Sequence, residues 1–355
     1  MARKKSRYYK VRGRLYELAV EELVKKAGFE TDRDKLKDIG IRQISKNGRS
    51  VHGRGGTYRA DVIGLYSLPI PFTYPMLLIG EAKYQKEKVS IAEAREFLGI
   101  HTDISQYPRI NTKSKLWKYS EMFKETRYNY APVMFSANGF RRNPQALLYA
   151  HGIYFISYEN SPIFGTIKKA LERLLKQIKT AKMLDDDMAL LNRAKSLSEI
   201  KNIRADAKKK KFNYALGKLL AITQATNSYI GMLDNTLMLH ILSNTQLRRP
   251  TYEVMEAYPQ LMEGNFILLK SSNKERARKI GGFSLPSQFL ERYVKNATEN
   301  GKPCFNELVI YKNYEGKLFP IYVKLAEQGR KEIIDMALAA DTMKNKKGRL
   351  RGRRT

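Results

Sequence analysis

The sequence predicts a layered α/β protein over its first 165 residues, joined to a C-terminal, mostly helical α+β domain. Three observations carry this. Strand-like and helix-like patterns alternate up to about residue 160. From about residue 166 the pattern changes to a basic amphipathic helix. The chain has 355 residues and 43% hydrophobic content, enough for two domains.

Residues 1–14 hold seven Lys or Arg and no acid, and read as a basic arm. Leu15, Leu18, Ala19, Leu23 and Val24 then share one side of a helix to Ala27, with Gly28 as its stop. Residues 29–57 are polar and end in His52-Gly-Arg-Gly-Gly56, a turn or mobile loop. Tyr58–Tyr66 reads as a strand. Pro69, Pro71 and Pro75 make the next stretch a loop. Met76–Tyr84 is a second strand, followed by a helix at Ile91–Gly99. Tyr107–Tyr130 carries no clear pattern. Ala131–Ser136 is a buried strand, Pro144–Tyr149 a helix and Gly152–Ser157 another buried strand.

Residues 166–210 read as a basic helix and linker, with Leu171, Leu174, Leu175 and Ile178 at helical spacing and Asp185–Asp187 as a break. Residues 211–343 form the C-terminal domain, expected to serve recognition or assembly. In it Phe212–Leu242 reads as one or two core helices. Phe266–Lys270, Glu307–Lys312 and Leu318–Leu325 read as strands, and Ala326–Ala340 as a helix. Residues 344–355 are a tail with seven basic residues and no acid.

With 66 Lys and Arg against 35 Asp and Glu, the formal charge is +31, which attracts polyanions, nucleic acid first. No run of about 18 apolar residues is present, so no membrane span is expected. The N-terminus has no apolar stretch behind its charges, so it does not read as a secretory signal. Cys304 is the only cysteine, which excludes an internal disulfide or a zinc cluster and suits a reducing cytoplasm.

The chemistry concentrates in Asp61 and, twenty residues on, Glu81-Ala82-Lys83. Two carboxylates on strand-like segments are enough protein anchors for Mg²⁺, which keeps several of its waters. The Ala82 carbonyl is a candidate third oxygen. Residues 81 and 83 of a strand point to one face, so Glu81 and Lys83 project together while Ala82 turns inward. Lys83 would orient or deprotonate a water, or stabilise developing charge. No nucleophile elbow, zincin helix or Walker A sequence is present.

Around this cluster the first 165 residues resemble a PD-(D/E)xK nuclease domain, closest to the Mrr-type restriction endonuclease branch. The opening Gly13-Arg-Leu-Tyr-Glu17 segment with its closing Gly28-Phe29 is similar to the family's first helix. The Asp61 strand and the Glu81-Ala82-Lys83 strand follow in the family's order. Ala131–Phe140, then Ala146, Ala150 and Gly152–Ser157, resemble its closing strand-helix-strand. Ala60 stands where the superfamily's name has proline. The resemblance implies a restriction-endonuclease-like mixed central sheet flanked by helices over residues 15–165. It implies Asp61 and Glu81 as metal ligands, Lys83 as the catalytic lysine and Glu17 as a supporting carboxylate. Mg²⁺ would be the cofactor, with Mn²⁺ as a substitute.

The expected function is therefore a Mg²⁺-dependent DNA endonuclease in restriction, anti-phage defence or DNA processing. A homodimer is expected for double-strand cutting, with an additional subunit as a further partner. Arg3, Lys4 and Lys5 at one end and Arg351 and Arg353 at the other are candidate phosphate contacts. Lys113, Lys115 and Trp117 interleave charge and aromatic surface suited to a nucleic-acid strand. The alternatives are a junction-resolving or repair nuclease on the same fold, and a non-catalytic nucleic-acid-binding subunit of a larger complex.

Overall fold

A computed structural model describes residues 2–38, 50–66, 73–106, 128–161, 163–180, 185–200, 210–233, 237–246, 255–260, 265–270, 278–284, 308–314 and 317–325. Lys113, Lys115, Trp117, Arg351, Arg353 and the helix expected at Ala326–Ala340 lie outside the described residues.

The first helix, α1 (Ala2–Lys26), begins well before the expected Leu15. The basic arm is thus the start of this helix, and Arg3, Lys4 and Lys5 fall in its first turns. Val11 continues the apolar side set by Leu15 and Leu18, and all three are buried. Arg14 is only 4% exposed, because it donates to the Ala194 carbonyl (2.8 and 3.2 Å) and to Glu17 (2.9 Å). A charge count along the sequence cannot separate such a paired, buried arginine from a solvated one.

Five strands form the central sheet in the order β1-β4-β5-β6-β7. They are β1 (Phe29–Glu30), β4 (Val62–Tyr66), β5 (Met76–Lys83), β6 (Asn129–Ser136) and β7 (Tyr154–Ser157). Strands β1, β4 and β5 are antiparallel neighbours, whereas β5, β6 and β7 run parallel. The sheet is mixed, as expected. Parallel neighbours need crossovers, supplied by α3 (Ile91–Ser105) and α4 (Arg142–Ala150). Helix α3 opens on a capping box, Ser90 with Glu93, and runs past the expected Gly99 to Ser105.

Alternation along the strands sorts the core. Val133, Phe135 and Ile156 pack with α1 and with α5 (Phe164–Thr180), whereas Met134 and Phe155 pack with Ala94, Phe97 and Leu148 of α3 and α4. Helices therefore flank both faces. A short helix, α2 (Arg33–Asp38), follows β1. The segment expected as one strand, Tyr58–Tyr66, is two. Strand β3 (Thr57–Arg59) leaves the sheet to pair with β2 (Ser50–His52), and only β4 joins the core.

Beyond α5, helix α6 (Asp185–Arg193) starts at the triple aspartate that was expected to end a helix. Acids are favourable at a helix N-terminus, where the peptide dipoles present positive charge. Helix α7 (Leu197–Ile200) and α8 (Lys210–Ala225) follow. Lys26 of α1 donates to the carbonyls of Thr223 (2.7 Å), Gln224 (2.6 Å) and Thr226 (2.9 Å), which closes the C-terminal end of α8.

The C-terminal region departs from expectation. Among the described residues beyond α8 it is built of strands, closed as a barrel in the order β10-β11-β12-β9-β8-β13-β14. The members are β8 (Asn227–Leu233), β9 (Leu237–Ser243), β10 (Met255–Gln260), β11 (Asn265–Lys270), β12 (Arg278–Ser284), β13 (Leu308–Tyr314) and β14 (Lys317–Leu325). A parallel pairing of β10 with β14 completes the ring. The second half of Phe212–Leu242 is thus a hairpin and not helix. Every residue of β9 is buried. Leu237, Leu239 and Ile241 join the barrel's apolar set, and Met238 and Leu242 join the core under α1. A strand buried on both faces shows no alternation, so its apolar run looks like a core helix.

Candidate active site

The three residues of the acidic cluster converge at one end of the sheet. Strand β4 pairs antiparallel to β5 with Val62 opposite Gly80, which sets Asp61 beside Glu81. The Asp61 amide donates to the Gly80 carbonyl (3.1 Å), and its Oδ2 accepts from the Ala82 amide (2.9 Å). This bond to a neighbouring strand is where β3 and β4 part. Along β5, Glu81 and Lys83 are half-buried while Ala82 is 8% exposed within the core under α1. Lys83 Nζ lies 2.7 Å from Glu81 Oε1. This is the carboxyl end of the parallel strands β5–β7, where open α/β sheets place ligands.

Glu17 reaches the same end from α1, but its oxygens are engaged. Arg59 donates to both of them (2.7 and 2.9 Å), and the buried Arg14 donates to Oε2 (2.9 Å). Arg59 Nε also lies 3.9 Å from Asp61 Oδ1. Its side chain is 55% exposed, so a guanidinium stands at the mouth of the cluster with three carboxylates under its field. Neither Arg14 nor Arg59 stands out in the sequence. The available signal is position: Arg59 precedes Asp61 by two, the spacing of one strand face.

Burial drives the Asp61 carboxyl well above the usual carboxylate range, and the Glu17 and Glu81 charges push the same way. The Ala82 amide and Arg59 offset only part of this. Burial works to lower the Lys83 ammonium, but Glu81, Asp61 and Glu93 outweigh it and its pKa rises. Lys83 is therefore a firm cation.

No group of three or more His, Cys, Asp or Glu side chains forms a ready metal cluster among the described residues. The donor set is two carboxylates, Asp61 and Glu81, with Glu17 held back by arginines. Two hard oxygens in a crowd of like charge fit a hydrated divalent cation, which needs few protein anchors and relieves the repulsion on Asp61.

The Gly-rich turn beside the site is held rigidly. Gly53–Gly56 joins β2 to β3, closed by a Gly53 amide to Gly56 carbonyl bond of 2.7 Å. Asp103 of α3 accepts the Gly55 amide on both oxygens (2.9 and 3.0 Å). A Cβ at Gly53 would meet that carboxylate and the Tyr58 ring, so a larger residue would force them to shift. The turn is thereby pinned to α3, and β3 carries Arg59 from it to the site.

Behind the site the sheet meets the barrel. Tyr158, just past β7, lies 2.6 Å from Nδ1 of His240 on β9, and Ser228 of β8 closes on Nε2. Both residues are buried, and burial lowers the His240 pKa to about 3.

No family model matches this chain, and no curated protein matches it. A solved structure described as "Protein of Unknown Function AF1548" is similar over 61% of this chain and 98% of its own, at 12% identity and a TM-score of 0.29. Likeness at that level carries no argument about fold or activity. No helix among the described residues is long and apolar enough to cross a membrane.

Proposed function

We propose that this protein is a Mg²⁺-dependent DNA endonuclease of the PD-(D/E)xK type, acting as a homodimer. The observation that carries the reading is the strand register that sets buried Asp61 beside Glu81 and Lys83. Asp61 and Glu81 would hold the ion. When bound, Mg²⁺ supplies Lewis acidity to the phosphodiester and acidifies a water.

The chain's own residues then have distinct tasks. Asp61 is held in place beside Glu81 by the Ala82 amide, which donates to its Oδ2. Lys83, kept protonated by its carboxylate neighbours, acts as a fixed positive charge toward the pentacovalent phosphate and not as a proton acceptor. Glu17 is a positioning residue that holds Arg59 toward the phosphate path. The net charge of +31 supports a polyanionic substrate.

The test is cleavage of linear, circular, branched and single-stranded DNA with Mg²⁺, Mn²⁺ or EDTA. Wild-type protein cuts with either metal and stops in EDTA. Cutting that persists in Asp61→Ala and Lys83→Ala would overturn the reading. Preference for branched DNA would favour a junction-resolving enzyme. DNA binding without cutting by any form would favour a non-catalytic subunit.

A further inference from the structure

Helices α5 and α8 pack side by side and leave a cleft of about 550 Å³ between them, remote in sequence from the acidic cluster. Its α5 wall carries Lys169 and Arg173, four residues apart on one helix face. Its α8 wall carries Lys210, Lys211, Tyr214 and Lys218. No carboxylate is among the described lining residues, and none of the five cations makes an ion pair with a described residue. Elsewhere the chain does pair its cations, as Lys88 with Glu159 and Lys195 with Asp34 show. The floor between the walls is apolar, formed by the buried Ala170 and Ala215.

Tyr214 separates this cleft from an ordinary solvated basic face. It is 65% exposed, one of the most exposed large aromatics described, and the Lys218 ammonium sits 4.6 Å from its ring centroid. An exposed aromatic with a lysine over one face, above a small apolar floor, offers its other face for stacking, flanked by phosphate contacts. The α5 wall from Thr166 to Gln177 extends roughly 16 Å at helical rise, long enough for a few nucleotides.

The N-terminal end of α5 also adjoins the sheet end that carries the acidic cluster. Lys168 donates to Asn138 (2.5 Å), and Asn138 donates to the carbonyl of Gln85, two residues past Lys83. Two hydrogen bonds in series thus tie the first turns of α5 to the segment that follows Lys83.

We infer that the α5–α8 cleft binds an unpaired nucleic-acid strand, with phosphates on Lys169, Arg173, Lys210 and Lys211 and a base stacked on Tyr214. The assignment rests on the nuclease reading only for the strand's relation to cutting. It can be tested without cutting, in EDTA, on the full chain.

Fluorescence anisotropy with a labelled oligothymidylate at several salt concentrations provides the measurement. Reversal of Lys169, Arg173 and Lys211 to Glu lowers affinity at least about tenfold near 0.1 M salt and flattens the log–log salt slope by about 2. An equal reversal of the exposed Lys10, Lys25 and Lys179 changes affinity less than threefold, which separates the cleft from net charge. Tyr214→Ala lowers single-strand affinity at least about fivefold, and Tyr214→Phe restores it. All five cations are exposed, so melting temperatures of the variants match wild type.

Wild-type affinity and slope in the cleft variant, or equal losses in both triple variants, would overturn the inference. So would a loss confined to duplex DNA, or a loss read only on phosphatidylserine vesicles. Cleft-dependent binding without metal-dependent cutting would leave the cleft standing and remove the nuclease reading. Cutting with a silent cleft would do the reverse.

Discussion

Two buried polar clusters border the same core, and they are built on opposite principles. Around Asp61 a buried carboxyl faces two like charges, with one amide and one distant guanidinium in partial compensation. Around His240 a buried imidazole has a hydroxyl at each nitrogen and no charge to satisfy. The second is a polar group made comfortable, which fastens barrel to sheet. The first is left in tension, and tension of that kind is what a cation-binding site has to offer its ligand. Burial alone does not mark a functional group, since both clusters are buried. What separates them is whether the partners cancel the penalty.

Four experiments sharpen or break that contrast. The largest effect is expected on chemistry: Lys83→Ala and Asp61→Ala each lower metal-dependent cleavage at least about 100-fold. Normal turnover in either variant would make the tension around Asp61 merely structural.

The next effect falls on stability at the His240 seam. Its folded pKa is depressed to about 3, so the native state resists a proton that the unfolded chain accepts from about pH 6.5 downward. Stability is therefore full above pH 6.5 and falls as the medium is acidified toward 3. Between pH 7 and pH 5 this one group costs about 2 kcal/mol. Urea midpoints at the two pH values should fall further for wild type than for His240→Gln, which cannot titrate. Parallel losses would remove His240 from the account.

The third prediction reverses the usual sign of a mutation. Asp61 has a raised folded pKa, so its contribution favours the fold at low pH and is lost as pH rises through that value. At neutral pH without metal its charge works against the fold. Asp61→Asn should raise the melting temperature by a few degrees, while Mg²⁺ should raise it for wild type and not for the variant. A variant less stable than wild type in EDTA would contradict the crowding around Asp61.

The smallest effect is local. Asp103→Ala removes the acceptor for the Gly55 amide and should cost about 1 kcal/mol, with faster hydrogen exchange at Gly55 and little change in β5. Unaltered exchange at Gly55 would mean that α3 does not hold the turn.

Much of the sheet could be read from the sequence because its signals are local. Strands β5, β6 and β7 are short apolar runs bounded by turns, and Glu81 and Lys83 share a face through strand parity alone. The break between β3 and β4 could not be read. Residues 58–66 pattern as one strand, and the interruption comes from an Asp61 bond to a residue twenty-one positions away. The clamp on Glu17 was hidden for the same reason, since Arg14 and Arg59 gain their meaning from partners distant in the chain. In the barrel the obstacle is enclosure. Strand β9 is covered on both sides, so it lacks the two-residue rhythm that marks a strand.

The ring closure of the barrel bears on how the chain is made. Strand β10 finds its parallel neighbour only in β14, with Met255 opposite Val323. On a ribosome, the five-stranded sheet has all its strands once residue 157 has emerged, whereas the barrel stays open until residue 325 is out. Domains generally fold as units during synthesis, N-terminal first, and non-local pairings form slowly. The strands that bring Asp61, Glu81 and Lys83 together are therefore available to pair before the barrel can close. His240, made after that sheet and before β14, meets Tyr158 from a ring that only the last strand closes.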